Sequence, residues 1–305
     1  MTQPEKPLLA GQRRMSMRQR EAMMGYLFIA PAMIGLIVFF VLPTLRAAQI
    51  SLTDWNLLRA PRFVGFSNYE KLWADDTFWE SLRLTLLYVA YNIPLQTALA
   101  LFIAVLADRL ARQVWVRAVM IAPYLISNVV AGLIWLLMLD PLIGMTNVFL
   151  DLIGVEKQGF LSSPDQALIS VAGINIWRHV GFTALLFYAG LQAIPRDLYE
   201  AARLDGAREW QMFRTITLPL LRPVMVFVLV TSVIGSFQIF DTIAVTTAGG
   251  PAGTTKVVMF YIYETAFKFS KMGLASAMSM VLFVILISVT LAQMRLLRAD
   301  QSDLG

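Results

Sequence analysis

Six stretches of this sequence approach or exceed the ~20 apolar residues that a helix needs to cross a bilayer at about 1.5 Å per residue. They lie near Tyr26–Leu45, Leu84–Ala107, Ala118–Leu139, Leu168–Leu191, Pro223–Thr246 and Ala275–Met294. Hydrocarbon offers no partner to a free backbone amide or carbonyl, so each stretch is expected to be a helix. Composition agrees: 58% of the 305 residues are hydrophobic and 15% are charged. Soluble domains run about 45–50% and about 25%. A soluble protein of this length leaves about a quarter of its chain surface wet, too much to hide such an apolar content. The expectation is an all-α polytopic membrane protein with six transmembrane helices. An ordinary cytosolic enzyme, a disordered chain and a disulfide-stapled domain are excluded. The fifth stretch is the weakest, because Ser236, Gln238 and Asp241 occupy its second half.

Arg13, Arg14, Arg18 and Arg20 precede the first stretch, as in a signal peptide. The apolar run that follows is about 20 residues, longer than the 7–15 of a cleavable leader, so an uncleaved anchor is expected. Pro31 and Pro43 should bend it locally. Fifteen Lys and Arg fall on segments 1–25, 108–117, 192–222 and 295–305, against nine on 46–83, 140–167 and 247–274. That bias puts the first set, and both termini, in the cytoplasm. It also accounts for the net charge of +5 without any nucleic-acid partner. With no cysteine there is no disulfide, thiolate metal site or cysteine nucleophile. The single histidine, His179, excludes a histidine-rich metal centre. No metal and no cofactor are expected. No GxxxxGK[ST] loop is present, so a process driven by nucleotide would need its nucleotide site on another chain.

The most informative loop is 196–223. Pro195 opens a helix whose first turn carries Asp197 and Glu200, which suits the helix dipole. Gly206 permits a stop or sharp turn. A second amphipathic piece carries Trp210, Phe213 and Ile216, and Pro219 and Pro223 close it. Two short helices at an angle are expected on the cytoplasmic face. The apolar stripe of Leu198, Tyr199, Leu204, Trp210 and Phe213 needs a cover: the lipid interface, the rest of the bundle or a partner protein. Segment 46–83 holds Trp55, Phe63, Phe66, Tyr69, Trp73, Phe78 and Trp79, read mainly as an interfacial aromatic belt.

Glu200-Ala201-Ala202, then Gly206, Ile216 and Leu218-Pro219 at their spacing, resemble the EAA loop of binding-protein-dependent ABC importer permeases. Gly249-Gly250-Pro251, Tyr261-Ile262-Tyr263, Ala266-Phe267, Gly273 and Ala275-Ser276-Ala277 resemble the carbohydrate-importing branch, of the maltose and multiple-sugar type. The resemblance implies a type I importer permease fold over 80–295, with the coupling loop at 196–219. Residues 1–25 would be a cytoplasmic tail, 26–79 the first helix with an external loop, and 296–305 a second cytoplasmic tail. It implies a bacterial inner (plasma) membrane protein that is not an enzyme. Its partners would be a second homologous permease, two ATP-hydrolysing subunits and an external solute-binding protein. Glu200 would be the polar anchor facing the ATPase. Ala201 and Ala202 would keep that face thin, and Gly206 would supply the turn.

Polar residues inside spans are expensive and point to function. The fourth span offers Asn175, Trp177, Arg178 and His179, and the fifth offers Ser232, Ser236, Gln238 and Asp241. Ser232 and Ser236 share one helix face. The resemblance places Asn175, Arg178, His179, Ser232, Ser236 and Ile239 in the stretches that line the sugar pocket of maltose-type permeases. Hydroxyls, amides and aromatic faces suit a polyol. The residues leave open whether these groups meet solute or bond between helices. Arg178 could pair with Asp241, or it could receive an anionic polyol such as glycerol phosphate. An ion-driven secondary transporter would need more buried acids than Asp241 and an internal repeat. A membrane enzyme would need an acid cluster or a metal site.

Overall fold

The computed structural model describes residues 17–110 and 114–297. The tail residues 1–16 and 298–305, with Arg13, Arg14 and Arg298, lie outside the described residues. The chain divides into two units, one ending at Gln49 and one beginning at Ile50.

In the first unit, α1 (Met17–Leu36) passes through a π-helical turn, Ile37–Val41, into α2 (Leu42–Ser51). The wide turn has a local cause. Pro43 has no N–H and its ring crowds the preceding turn. Leu42 donates to Ile37 O, five residues back, which widens the helix just before the proline.

The second unit begins with a small cap. β1 (Thr53–Asp54) pairs antiparallel with β2 (Arg62–Phe63), Thr53 opposite Phe63. Asn68, on α3 (Ser67–Trp73), is buried and donates from Nδ2 to Ser51 O and Thr53 O, both at 2.8 Å. Then come α4 (Asp76–Leu110), α5 (Val114–Leu125), α6 (Asn128–Met138), α7 (Met145–Leu152) and α8 (Ala167–Gln192). The loop elements are α9 (Arg196–Leu204), α10 (Glu209–Met212), a π turn Phe213–Thr217 and α11 (Leu218–Leu220). They lead into α12 (Arg222–Phe237), α13 (Asp241–Thr246), α14 (Val258–Tyr263) and α15 (Met272–Leu296).

The expectation of six membrane-crossing helices does not hold. Among the described residues four helices are long and apolar enough: Arg20–Ser51, Asp76–Asp108, Arg222–Thr246 and Met272–Leu296. A fifth is reached only if α5 and α6, bent by 90° at their break, count as one span. The expected fourth span is α8, which has 26 residues. Its centre carries Asn175, Arg178 and His179, which lower its hydropathy. α8 is the inner helix of the unit. Val171, Ala172, Ile174, Ala184 and Phe187 are buried in it, so neighbouring helices replace lipid and relax the need for an apolar perimeter.

α8 lies along α4, where Ala100 and Ala104 meet Ala184 and Phe187. Small residues one turn apart let the backbones approach closely. Gly181 takes this further: a Cβ there would stand 1.8 Å from Met120 O of α5. A second core joins Phe78, Ile93, Val233, Phe237, Val258, Met278 and Leu282, holding α15 and α12 to α4.

Candidate functional site

Two helices of the second unit are interrupted, and a cavity of about 370 Å³ lies at both interruptions. α5 stops at Leu125 and α6 starts at Asn128, with Ser127 Oγ accepting from Val130 N at 3.3 Å as N-cap. α12 stops at Phe237 and α13 starts at Asp241. Broken backbone at membrane depth is tolerated where protein or a wet cavity supplies its partners.

Arg178 supplies them for α5. Its Nε donates to Ile126 O at 2.8 Å and its Nη2 to Tyr124 O at 3.1 Å. The guanidinium carbon sits 5.1 Å from the Tyr124 ring centre. Its Nη1 lies 2.8 Å from His179 Nε2. A guanidinium only donates, so Nε2 accepts and the ring is the neutral Nδ1–H form. That N–H then donates to Asn175 O at 2.9 Å. Tyr124 stacks on Phe182 with ring centres 4.4 Å apart.

Buried and half-buried amides cross the bundle. Asn175 Nδ2 donates to Asn92 Oδ1 at 3.0 Å, and Asn92 Nδ2 to Ser236 Oγ at 3.1 Å. Gln96 Nε2 donates to Thr183 Oγ1 at 3.1 Å. Asn128 Nδ2 donates to Asp241 Oδ2 at 3.1 Å, joining the starts of α6 and α13.

The cavity therefore brings together Asn175, His179, Ser232, Ser236, Gln238, Ile239 and Asp241, all named from the sequence. Arg178 is not on its wall. It bonds to the end of α5, and Asp241 bonds to Asn128 rather than to Arg178. Asn92, Gln96, Tyr124, Asn128 and Thr183 also line the wall, and sequence reasoning missed them. One signal was available: Asn92 and Gln96 stand four residues apart inside an apolar stretch, on one helix face.

The second site is the loop. α9 has no buried residue. Glu200 and Ala201 are exposed, Ala202 half-buried, and Ile216 and Leu218 half-buried beside exposed Pro219. Leu198, Leu204 and Trp210 are 42%, 90% and 68% exposed. α9 ends in a Schellman motif: Ala207 N donates to Ala202 O at 2.9 Å and Gly206 N to Arg203 O at 3.0 Å. Gly206 sits at φ +78°, where a side chain is strained. Tyr199 Oη and Thr217 Oγ1, 2.9 Å apart, tie α9 to the returning chain. Leu218 N reaches back five residues to Phe213 O just before Pro219, the same accommodation as at Pro43. Between the arms lies a second cavity of about 440 Å³, with Asp108, Glu200, Arg203 and Glu209 on its wall.

Comparison with known proteins places these two sites in context. The sequence model of the binding-protein-dependent transport system inner membrane component family matches residues 96–299. The trehalose/maltose transport system permease protein MalF of Thermococcus litoralis is 34% identical, over 92% of this chain and 95% of that protein. The sn-glycerol-3-phosphate transport system permease protein UgpA of Agrobacterium fabrum is 34% identical, over 88% and 93%. From the same organism, the sulfoquinovosyl glycerol transport system permease protein SmoG is 33% identical, over 91% of each. A chain of a bacterial ABC transporter that imports the acidic polysaccharide alginate shares the fold. It superposes with TM-score 0.79 at 23% identity, over 92% of this chain and 96% of that one.

Proposed function

The chain belongs to the family of binding-protein-dependent transport system inner membrane components, and from that membership we propose that it lines half of a sugar importer's path and is driven through its 196–219 loop. It is an ABC importer permease for a sugar or related polar solute, and not an enzyme. In this reading a second, similar permease completes the path. An external solute-binding protein delivers the solute, and two ATPase subunits bind the cytoplasmic face. Residues 80–295 carry the permease domain, and both termini lie in the cytoplasm.

The observation that carries the coupling role is α9. It is a helix with no buried residue, bearing exposed apolar side chains and ending at a glycine that its turn requires. A surface like this needs a cover. Glu200 is the polar anchor on it, and Ala201 and Ala202 allow close approach. Arg222 Nε donates to Leu297 O at 2.9 Å, so the end of the loop and the end of α15 share one face, as a cytoplasmic C-terminus requires. In the cavity, Asn175, Ser232 and Gln238 offer donors and acceptors, which suit hydroxyls.

The test is the reconstituted complex. Glu200→Ala and Gly206→Val should each uncouple ATP hydrolysis from uptake or prevent ATPase docking, with helix content unchanged by circular dichroism. Normal docking and coupling with both residues replaced would refute the role.

A further inference from the structure

We propose that Asp241 makes this half of the cavity reject anionic solutes, which narrows the substrate class to neutral polyols. The inference rests on the reading of the cavity as the solute path. Similar permeases carry both kinds of name, trehalose/maltose on one side and sn-glycerol-3-phosphate on the other, so family membership does not decide between them.

The charges on the wall do decide. Among the described residues that line the cavity, Asp241 is the only one with a full charge. It is exposed there, and Asn128 occupies one of its carboxylate oxygens. The cation of α8, Arg178, is committed elsewhere. Its nitrogens bond Ile126 O, Tyr124 O and His179. Those two carbonyls, Tyr124 O in the last turn of α5 and Ile126 O just beyond it, hold the guanidinium head at the break and off the cavity wall. His179 does reach the wall, but its bond from Arg178 holds it neutral. A phosphate or carboxylate in the cavity would thus face a carboxylate and find no cation on the described wall to pair with. A polyol would find an acceptor in Asp241 and mixed donors and acceptors in Asn175, Gln96 and Ser232.

The absence of cysteine from the chain makes this testable without a known substrate. Ser232→Cys places one thiol on the cavity wall of the assembled importer, and Thr231→Cys is a second handle on the same wall. Each is treated in membranes with two methanethiosulfonates of similar size, the ethyltrimethylammonium cation and the ethylsulfonate anion. Rates are normalised to those of a free thiol and read by mass on this chain. The cation should react at least about tenfold faster, as a single-sign cleft concentrates counter-ions. Asp241→Asn should remove most of that preference. Equal rates in the parent, or a preference that survives Asp241→Asn, would overturn the inference while leaving a wet path intact. If neither reagent nor neutral N-ethylmaleimide reaches either thiol in the folded protein, the reading of the cavity as a path falls, and the inference with it.

Discussion

α9 buries no residue, whereas Asn92 and Ser236 in the cavity are 1% and 4% exposed. The determinants of the loop are local: the Schellman bonds of Gly206 and Ala207 reach no farther than Ala202. The determinants of the cavity are remote: Asn92 and Ser236 are 144 residues apart in sequence. The loop is thus shaped by its own few residues, and in the proposed reading an ATPase subunit completes it. The cavity is shaped by the whole bundle and completed from within. Damage to the loop should therefore cost coupling and spare the fold, while damage to the cavity wall should cost both.

The largest expected effect is at Gly206. A β-branched residue at φ +78° is strained by roughly 1–3 kcal/mol, a strain the exposed turn relieves by redirecting the chain after α9, where no buried contact is lost. Gly206→Val should lower binding-protein-stimulated ATPase activity at least tenfold with an unchanged melting temperature. Gly206→Asn, which tolerates the left-handed conformation, should keep most of it. A drop in melting temperature for Gly206→Val would break the contrast between a local loop and a global cavity.

Next is Gly181, where even a methyl group would meet Met120 O. Gly181→Val should destabilise the protein by about 1–3 kcal/mol, visible as a lower melting temperature in detergent together with lost uptake. Smaller again is Asn92→Leu. It strips partners from Asn175 and Ser236, where interhelical hydrogen bonds in membranes are worth about 0.6–1.7 kcal/mol. A modest stability loss with weakened uptake at low solute concentration is the expected pair of readings. The smallest effect is Tyr199→Phe, which removes one bond to Thr217 worth about 0.5–1.5 kcal/mol. It should loosen coupling by a few-fold at most and lower the melting temperature by less than Asn92→Leu does.

The same contrast explains what the sequence disclosed. The loop was legible because its residues are contiguous and its glycine has a local reason to be there. The serine pair on α12 and the polar run on α8 were legible because polar atoms are costly in an apolar helix. The break between α5 and α6 was not. Ser127 as N-cap is a weak signal without Arg178 at the freed carbonyls, and no local rule joins position 178 to positions 124 and 126. Arg178 was open to both a solute and a structural role for the same reason, and the bend it supports placed it. The count of membrane-crossing helices erred on the third stretch, which breaks by 90° between α5 and α6, and on α8, whose central Asn175, Arg178 and His179 leave it less apolar than a crossing helix. Asn92 and Gln96 carry no charge within an apolar stretch, so only their four-residue spacing on one helix face marks them.

The proposed coupling requires α9 to be covered by an ATPase subunit. Ala201→Cys gives one exposed thiol on that helix in a chain without cysteine. Its maleimide labelling rate is measured on the purified chain and again after assembly with the ATPase subunits, with Ser232→Cys as the internal control. Labelling of Ala201→Cys should be fast on the chain alone and slow at least about tenfold on assembly, and nucleotide-free ATPase should suffice for protection. Equal labelling of Ala201→Cys before and after assembly, in a complex that still hydrolyses ATP, would contradict the account.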